Sequence, residues 1–167
     1  VEKRSKGLVK FVNAYGELAR VPKPAFESIN VQNLIDDILA LLGAELKSKG
    51  IEVQLKIDSA PLLADKELIE QVIINLIKNA KEALSNTTEA EIKINYQLYN
   101  DQKIISIEDN GPGIEAQVLE NIFVPFFTTK KEGSGIGLSL SRQIMRAHKG
   151  NLTVKSTPGF GTQFSLI

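Results

Sequence analysis

Asn75 and Asn79 stand one helical turn apart in a stretch dominated by isoleucine and leucine. Asparagine is a mediocre helix former, so two of them in such a stretch need a reason beyond helix propensity. A carboxamide oxygen is a neutral, hard ligand for Mg²⁺, which keeps most of its waters and takes further ligands from nucleotide phosphates. The pair indicates either a magnesium-nucleotide site or two surface amides, and the asparagines alone do not decide between them.

Asp109 opens the turn Asp109-Asn110-Gly111-Pro112-Gly113, directly after an alternating run typical of a strand. The turn leaves the Asp109 carboxylate at the end of the strand, close to the backbone of two glycines. Such an acceptor suits the amino group of a planar base, because glycine lets a ring approach the main chain. As a bare turn, the pattern is weak evidence for a ligand.

A second glycine-rich segment, Gly133-Ser134-Gly135-Ile136-Gly137, stands directly before a predicted helix. Free N–H groups and the helix dipole attract phosphate at such a position, although a flexible surface loop has the same composition. A P-loop is excluded, because Leu138 follows the last glycine where that motif needs lysine. A dinucleotide fingerprint is excluded as well, since the segment does not follow the first strand of a βαβ unit.

The periodicity of the apolar residues predicts the elements that position these groups. We expect helices capped by Asn30 and Asp65, hairpin-connected strands with one turn at Asn100-Asp101, and a third helix after the second glycine segment. Helices grouped with such strands predict an α/β fold, a two-layer sandwich with a mixed sheet and helices on one face. The predicted ranges are helices 31–49, 65–84 and 137–147, and strands 51–57, 91–98, 103–108, 151–156 and 162–167.

An additional N-terminal helix is predicted from a helical stripe of apolar side chains. It ends at Val21-Pro22-Lys23-Pro24, because each proline lacks an N–H group and favours extended geometry in the residue before it. The helix either packs on the following domain or belongs to a helical hairpin. The stripe consists of Leu8, Phe11, Val12, Tyr15, Leu18 and Ala19.

Composition narrows the function classes. The chain has 167 residues, 43% of them hydrophobic, and 20 basic against 20 acidic side chains. With zero net charge, general attraction to nucleic acid is not expected. The absence of cysteine and the single histidine, His148, exclude disulfides, thiol catalysis and the usual zinc sites. No apolar run approaches a membrane span, so we expect a cytoplasmic location; membrane anchoring of a longer parent protein stays open.

Five motifs occur in a known order and resemble those of the catalytic ATP-binding domain of bacterial sensor histidine kinases, related to topoisomerase and heat-shock chaperone ATPases. The resemblance implies the Bergerat-type ATP-binding sandwich at residues 28–167, a linker at 22–27, and at 1–21 the end of the second helix of the dimerisation and phosphoacceptor hairpin. The motifs are Gln71-x-x-x-Asn75-Leu76-x-x-Asn79-Ala80, Asp109-x-Gly111-x-Gly113, Phe123-x-Pro125-Phe126-Phe127-Thr128-Thr129-Lys130, Gly133-x-Gly135-x-Gly137-Leu138 and Gly159-x-Gly161-Thr162-x-Phe164.

The resemblance also implies roles for individual residues. Asn79 corresponds to the Mg²⁺ ligand, Asp109 to the adenine acceptor, and Asn75 and Lys130 to groups that face the reacting phosphate. The aromatic and lysine segment corresponds to a lid, although core packing is the alternative for its phenylalanines. The full ATP-binding set implied is Asn75, Lys78, Asn79, Asp109, Gly111, Gly113, Ile114, Phe123, Phe127, Thr128, Thr129, Lys130, Gly133, Gly135, Ile136, Gly137, Leu138 and Thr162.

The implied activity is transfer of the γ-phosphoryl group of Mg-ATP to a histidine on the hairpin, with onward transfer to a response regulator receiver domain and a homodimer formed through the hairpin. Hydrolytic relatives carry a glutamate where this chain has Asn75, and an amide cannot take a proton from water. Kinase chemistry is therefore favoured over an ATPase module, and a regulator that binds ATP without transferring phosphate stays open as an alternative. Glu82 departs from the family, where a basic residue is common. His148 is expected to have a structural role at the end of the third helix, where Gly150 is expected to be the capping glycine.

Overall fold

The computed structural model describes Val12, Gly16 and residues 21–130 and 133–167. Val12 and Gly16 are helical, and the rest of the predicted N-terminal helix lies outside the described residues. Among the described helices, none is both long and apolar enough to cross a membrane. The elements in chain order are β1 (Glu27–Ile29), α1 (Val31–Ser48), β2 (Glu52–Ile57), β3 (Leu62–Ala64), α2 (Lys66–Ala83), a 3₁₀ turn (Leu84–Asn86), β4 (Glu91–Tyr99), β5 (Gln102–Asp109), α3 (Ala116–Leu119), α4 (Gly137–Ala147), β6 (Leu152–Thr157) and β7 (Gly161–Leu166).

The main sheet has five strands in the order β2-β4-β5-β7-β6. β2 runs parallel to β4, and the other neighbours are antiparallel, so the sheet is mixed as predicted. On β4, Ile92, Ile94 and Tyr96 are fully buried, while Lys93 and Asn95 between them are partly exposed. This alternation shows one face covered by the helical layer and one face open. The predicted two-layer α/β sandwich is confirmed.

The three long helices begin and end close to their predicted positions. Asn30 Oδ1 accepts from the Asn33 N–H, and Asp65 Oδ1 accepts from the Leu68 N–H, so both predicted side-chain caps are present. One face of α2 is buried in the core, which holds the helix against the sheet. The buried residues of α2 are Leu68, Ile69, Val72, Ile73, Leu76, Ile77 and Ala80.

The turn between β4 and β5 is a tight hairpin. Asn100 and Asp101 have φ angles of 49° and 62°, the left-handed geometry of a type I′ turn. The two strands extend one residue further towards the turn than predicted, to Tyr99 and from Gln102. Their pairing places Asp109 opposite Ile92, at the end of a central strand.

A separate two-stranded sheet was not predicted. β1 pairs antiparallel with β3, Ser28 opposite Leu63, and both strands have three residues. The linker predicted at 22–27 therefore overlaps the first residue of β1, Glu27. Segments this short carry too few residues to show a period of two. The four-residue helix α3 was also missed, because about one turn is too short to show the helical period of apolar residues.

Asp65 connects the segment before β1 to two helices. Its Oδ2 accepts from the Ala25 N–H at 2.8 Å, while its Oδ1 caps α2. The Asp65 N–H donates to Nε2 of His148, which is the C-terminal cap residue of α4 and whose ring meets Phe26 edge-on at 5.4 Å. His148 therefore makes structural contacts at the helix end.

The C-terminal end of α4 differs from the prediction in one detail. We expected Gly150 to act as the capping glycine, but the left-handed residue there is Lys149, with a φ angle of 61°. Gly150 has a different reason to be glycine, because a Cβ at this position would lie 2.4 Å from the Ile167 carbonyl oxygen. The close approach of the last strand therefore determines the residue type.

Candidate ATP-binding site

A cleft of about 870 Å³ lies between α2, the end of β5, the segments 122–130 and 133–135, and the start of α4. Its size is in the range of small-molecule sites. Most residues implied by the sequence motifs line it together, although they come from distant parts of the chain. The predicted residues lining the cleft are Asn75, Lys78, Asn79, Asp109, Gly113, Ile114, Phe127, Thr128, Thr129, Lys130, Gly133, Gly135, Gly137, Leu138 and Thr162.

Three predicted site residues do not line this cleft. Gly111 lies behind Asp109 and donates its N–H to the Asp109 carboxylate. Phe123 packs against the core, and the guanidinium carbon of Arg142 lies 4.5 Å from its ring centroid. Ile136 lines an adjoining smaller cavity of about 170 Å³, which shares Asn75, Ser134 and Gly137 with the main cleft. These positions are consistent with supporting the walls of the cleft.

Asp109 forms the deep end of the cleft, with only 6% of its surface exposed. Its Oδ1 accepts from the Gly111 N–H at 2.9 Å. Burial raises the pKa of the Asp109 carboxyl, and the N–H groups of Gly111 and Thr162 oppose this by donating to it. A buried carboxylate in a dry pocket gains from a ligand that donates a hydrogen bond, such as the amino group of a base.

The turn after Asp109 is pressed against neighbouring backbone. Gly113 has a φ angle of 73°, and a Cβ there would lie 2.3 Å from the Thr157 carbonyl oxygen. The Ile114 N–H donates to Ser156 Oγ at 2.8 Å, and the same hydroxyl lies 2.8 Å from Thr162 Oγ1. The turn therefore keeps its shape because one serine on β6 connects it to β7.

At the other end of the cleft, Asn79 and Glu82 converge on the side chain of Lys130. Lys130 Nζ donates to Asn79 Oδ1 at 2.9 Å and also to the Glu82 carboxylate. The described part of the chain has no group of three or more His, Asp or Glu side chains placed to hold a metal ion. The amide oxygen of Asn79 faces the cleft, where it accepts from the ammonium group of Lys130. This position fits a site where Mg²⁺ takes one protein oxygen and depends on phosphates and water for its other ligands.

Asn75 is held in a defined orientation between α2 and α4. Its Nδ2 donates to Ser141 Oγ at 3.0 Å, and Ser141 is only 2% exposed. On the other side, a Cβ at Gly137 would lie 2.3 Å from Asn75 Oδ1, so this oxygen lies directly on the helix start. The Asn75 amide already has a defined orientation without a ligand, and this favours precise placement of the phosphate that it faces.

The start of α4 is suited to phosphate. The helix begins at Gly137. Its N-cap residue is Ile136, whose side chain accepts no hydrogen bond from the N–H groups of the first turn. Free N–H groups at the start of an 11-residue helix attract anions. The preceding Gly135 has a φ angle of 70°. Its carbonyl accepts from the Phe126 N–H, and this hydrogen bond joins the predicted lid to the glycine-rich residues before α4.

Some residues of the site were not found from the sequence. Ser141 and Ser156 are ordinary serines in a helix and a strand, and only the fold shows that they position Asn75 and the turn after Asp109. Ile122 and Phe164 line the cleft as apolar walls, and neither was among the predicted site residues. Glu82 received no role from the sequence, and it contacts Lys130 in the cleft.

Comparison with known proteins places this geometry in a family. Residues 64–167 match the model described as histidine kinase-, DNA gyrase B-, and HSP90-like ATPase. The signal transduction histidine-protein kinase AtoS of Escherichia coli (strain K12) is 36% identical over the whole chain, which spans 28% of AtoS. The sensor histidine kinase ZraS of Salmonella typhimurium is 35% identical over 90% of the chain, which spans 33% of ZraS. The chain thus corresponds to about a quarter to a third of these curated relatives.

Solved structures agree. The catalytic domain of histidine kinase ThkA in a nucleotide-free form has a TM-score of 0.76 and 33% identity, over 85% of this chain and 93% of that domain. The complex of ThkA with the response regulator protein TrrA gives a TM-score of 0.79 and 27% identity, over 99% of this chain and 48% of that chain. The chain therefore belongs to the histidine kinase-, DNA gyrase B-, and HSP90-like ATPase family, as a catalytic ATP-binding domain of the sensor histidine kinase kind.

Proposed function

We propose that this domain binds Mg-ATP in the cleft and transfers the γ-phosphoryl group to a histidine on a separate helical hairpin. The observation that carries the proposal is the placement of a base acceptor, Asp109, and two amides, Asn75 and Asn79, on one cleft that ends at an uncapped helix start. ATP is the ligand of the family. The magnesium ion and the acceptor histidine are the parts that need an experiment.

The residues of the cleft divide the nucleotide between them. Asp109 accepts from the adenine amino group, and Gly113 leaves room for the ring. Asn79 would hold Mg²⁺, which neutralises phosphate charge when it is bound. The backbone at Gly137 and Leu138 donates N–H groups to the phosphates, and Lys130 adds a positive charge from the lid side. These groups provide positioning and charge stabilisation, which account for most of the catalysis of phosphoryl transfer.

Asn75 favours transfer over hydrolysis. A general base must lie within hydrogen-bond reach of the proton that it takes. Asn75 is an amide whose Nδ2 is engaged with Ser141, and Glu82 is already paired with Lys130. Slow hydrolysis leaves the γ-phosphoryl group for the acceptor nitrogen, which attacks phosphorus while the bond to the ADP oxygen breaks.

The partners proposed for the longer protein follow its relatives. The hairpin would supply the acceptor histidine and a homodimer contact, with residues 1–21 as the end of its second helix, 22–27 as a linker and 28–167 as the catalytic domain. A response regulator receiver domain would accept the phosphoryl group next. The solved complex of ThkA with the response regulator protein TrrA supports such a partner. A cytoplasmic location is part of the same proposal.

The decisive experiment mixes the domain with a separate phosphoacceptor hairpin and γ-labelled ATP. We expect label on the hairpin and negligible label on the domain itself, because His148 is engaged with Asp65 and α4. Titration of a non-hydrolysable ATP analogue with and without Mg²⁺ separates the binding roles. Asp109→Asn should weaken binding in both conditions, and Asn79→Ala chiefly the magnesium-dependent part. Binding of nucleotide without any transfer would indicate a regulatory module instead.

A further inference from the structure

Glu82 contacts the lid lysine at the point where the metal ligand lies. It follows Asn79 by three positions on α2, so the two side chains share one face of the helix. Lys130 Nζ donates to both, at 2.9 Å to Asn79 Oδ1. Lys130 belongs to the predicted lid, and its N–H donates to Thr128 Oγ1 at 3.1 Å.

An isolated surface ion pair would deserve little weight. Lys130 and Glu82 side chains are 43% and 52% exposed, and exposed pairs typically contribute at most about 1 kcal/mol to stability. The pair differs from the exposed Lys81–Glu45 pair between α2 and α1, because its cation also lies on the proposed metal ligand. The Lys130–Glu82 pair is therefore relevant to what binds in the cleft, and it contributes little to the stability of the fold.

The ammonium group of Lys130 and a divalent cation need the same oxygen of Asn79. Without a metal, Glu82 keeps the ammonium on Asn79, and its own negative charge lies beside the place of the phosphates. A nucleotide without a metal then meets a carboxylate and a lysine that is already paired. A nucleotide that brings its cation would displace the ammonium from Asn79, and the Glu82 carboxylate would attract the added positive charge.

We infer that Glu82 is a positioning residue that holds Lys130 on the metal ligand and thereby makes the cleft selective for nucleotide that carries a divalent cation. The inference rests on the proposed function, since it concerns the same cleft. It assigns a role to the acidic residue that the sequence motifs left without one. The effect on affinity comes through Lys130, so removing either partner must alter the influence of the other.

The test measures the dissociation constant of a non-hydrolysable ATP analogue in excess Mg²⁺ and in excess EDTA. For Glu82→Gln, we expect the metal-free affinity to rise about fivefold or more, because Lys130 is released from Glu82 and can approach the phosphates. The affinity in Mg²⁺ should change less or fall, so the preference for the metal-loaded form shrinks. The matched control is Glu45→Gln, which breaks a Lys–Glu contact of α2 outside the cleft and should leave the preference unchanged.

A double-mutant cycle separates positioning from simple repulsion. If Glu82 acts by holding Lys130, the gain in metal-free affinity from Glu82→Gln should largely vanish when Lys130 is already methionine. The same gain with and without Lys130 would overturn the positioning role, because Glu82 would then act by its own charge alone. An unchanged preference in Glu82→Gln would overturn the inference while leaving the proposed function intact. No binding of the analogue to the unaltered protein would instead refute the proposed function.

Discussion

Replacing Gly137 by alanine tests whether Asn75 must keep its observed orientation. The added Cβ would lie 2.3 Å from Asn75 Oδ1. Gly137 does not have a positive φ angle, so its backbone accepts an alanine without strain, and the clash falls on the end of one side chain. An ordinary contact needs roughly 3.5 Å, so the amide oxygen must move by about 1 Å.

The effects on stability nearly cancel. Alanine in place of a helical glycine stabilises by about 0.5–1 kcal/mol, and the loss of the Asn75–Ser141 hydrogen bond costs about 0.5–1.5 kcal/mol. A net change within about 1 kcal/mol shifts the Tm of a domain of this size by at most about 4 °C. A displacement of about 1 Å in a group that faces the reacting phosphate, in contrast, is expected to lower the transfer rate by about 100-fold.

The assays are thermal unfolding and single-turnover transfer of label to the hairpin. Gly43→Ala is the matched control, since Gly43 lies inside α1 and a Cβ there has nothing within 4 Å. This control should be slightly stabilised and should transfer at the normal rate. The reasoning is refuted if Gly137→Ala transfers normally, or if it loses more than about 2 kcal/mol, because the clash would then not be relieved by the side chain.

The remaining predictions concern Asp109, Gly113 and Asp65. Nucleotide affinity should fall as the pH decreases through the raised pKa of Asp109, because protonation removes the charge facing the adenine amino group; titrations of Asp109→Asn should lack this acid limb. Gly113→Ala should destabilise by about 2 kcal/mol or more in denaturant melts, since its φ is 73° and its Cβ would lie 2.3 Å from the Thr157 carbonyl. Hydrogen bonds from Ala25 and Leu68 lower the pKa of Asp65. The stability that Asp65 contributes is therefore present above the ordinary aspartate pKa and is lost as the pH falls through the lowered value. Asp65→Ala should lower the free energy of unfolding by about 1–2 kcal/mol at neutral pH and flatten that acid dependence.

Local signals in the sequence were sufficient for the long elements. Asn30 and Asp65 were recognised as caps because each precedes a long amphipathic helix, and Asn100-Asp101 was recognised as a hairpin turn by composition. The fold class followed from the order of these elements. The predicted strand ends were correct within about one residue. The small differences arise because hydrogen bonding to the neighbouring strand, and not the apolar pattern, decides where pairing stops.

Contacts between distant positions could not be predicted in the same way. The Asn75–Ser141 hydrogen bond spans 66 positions and the Lys130–Glu82 contact 48, and neither leaves a periodic trace in the sequence. The motifs indicated Phe123 as a ligand contact, but its ring lies beneath Arg142. Spacing identifies which residues belong to one region, and only packing decides which of their atoms face the ligand.

The two carboxylate oxygens of Asp65 serve separate neighbours, one the Ala25 N–H and the other the first turn of α2. Detaching the chain ahead of β1 would break the first contact, along with the edge-on contact of Phe26. The second contact stays intact. Loss of the contacts made by the segment before β1 therefore leaves the helix that carries Asn75 and Asn79 capped at its start.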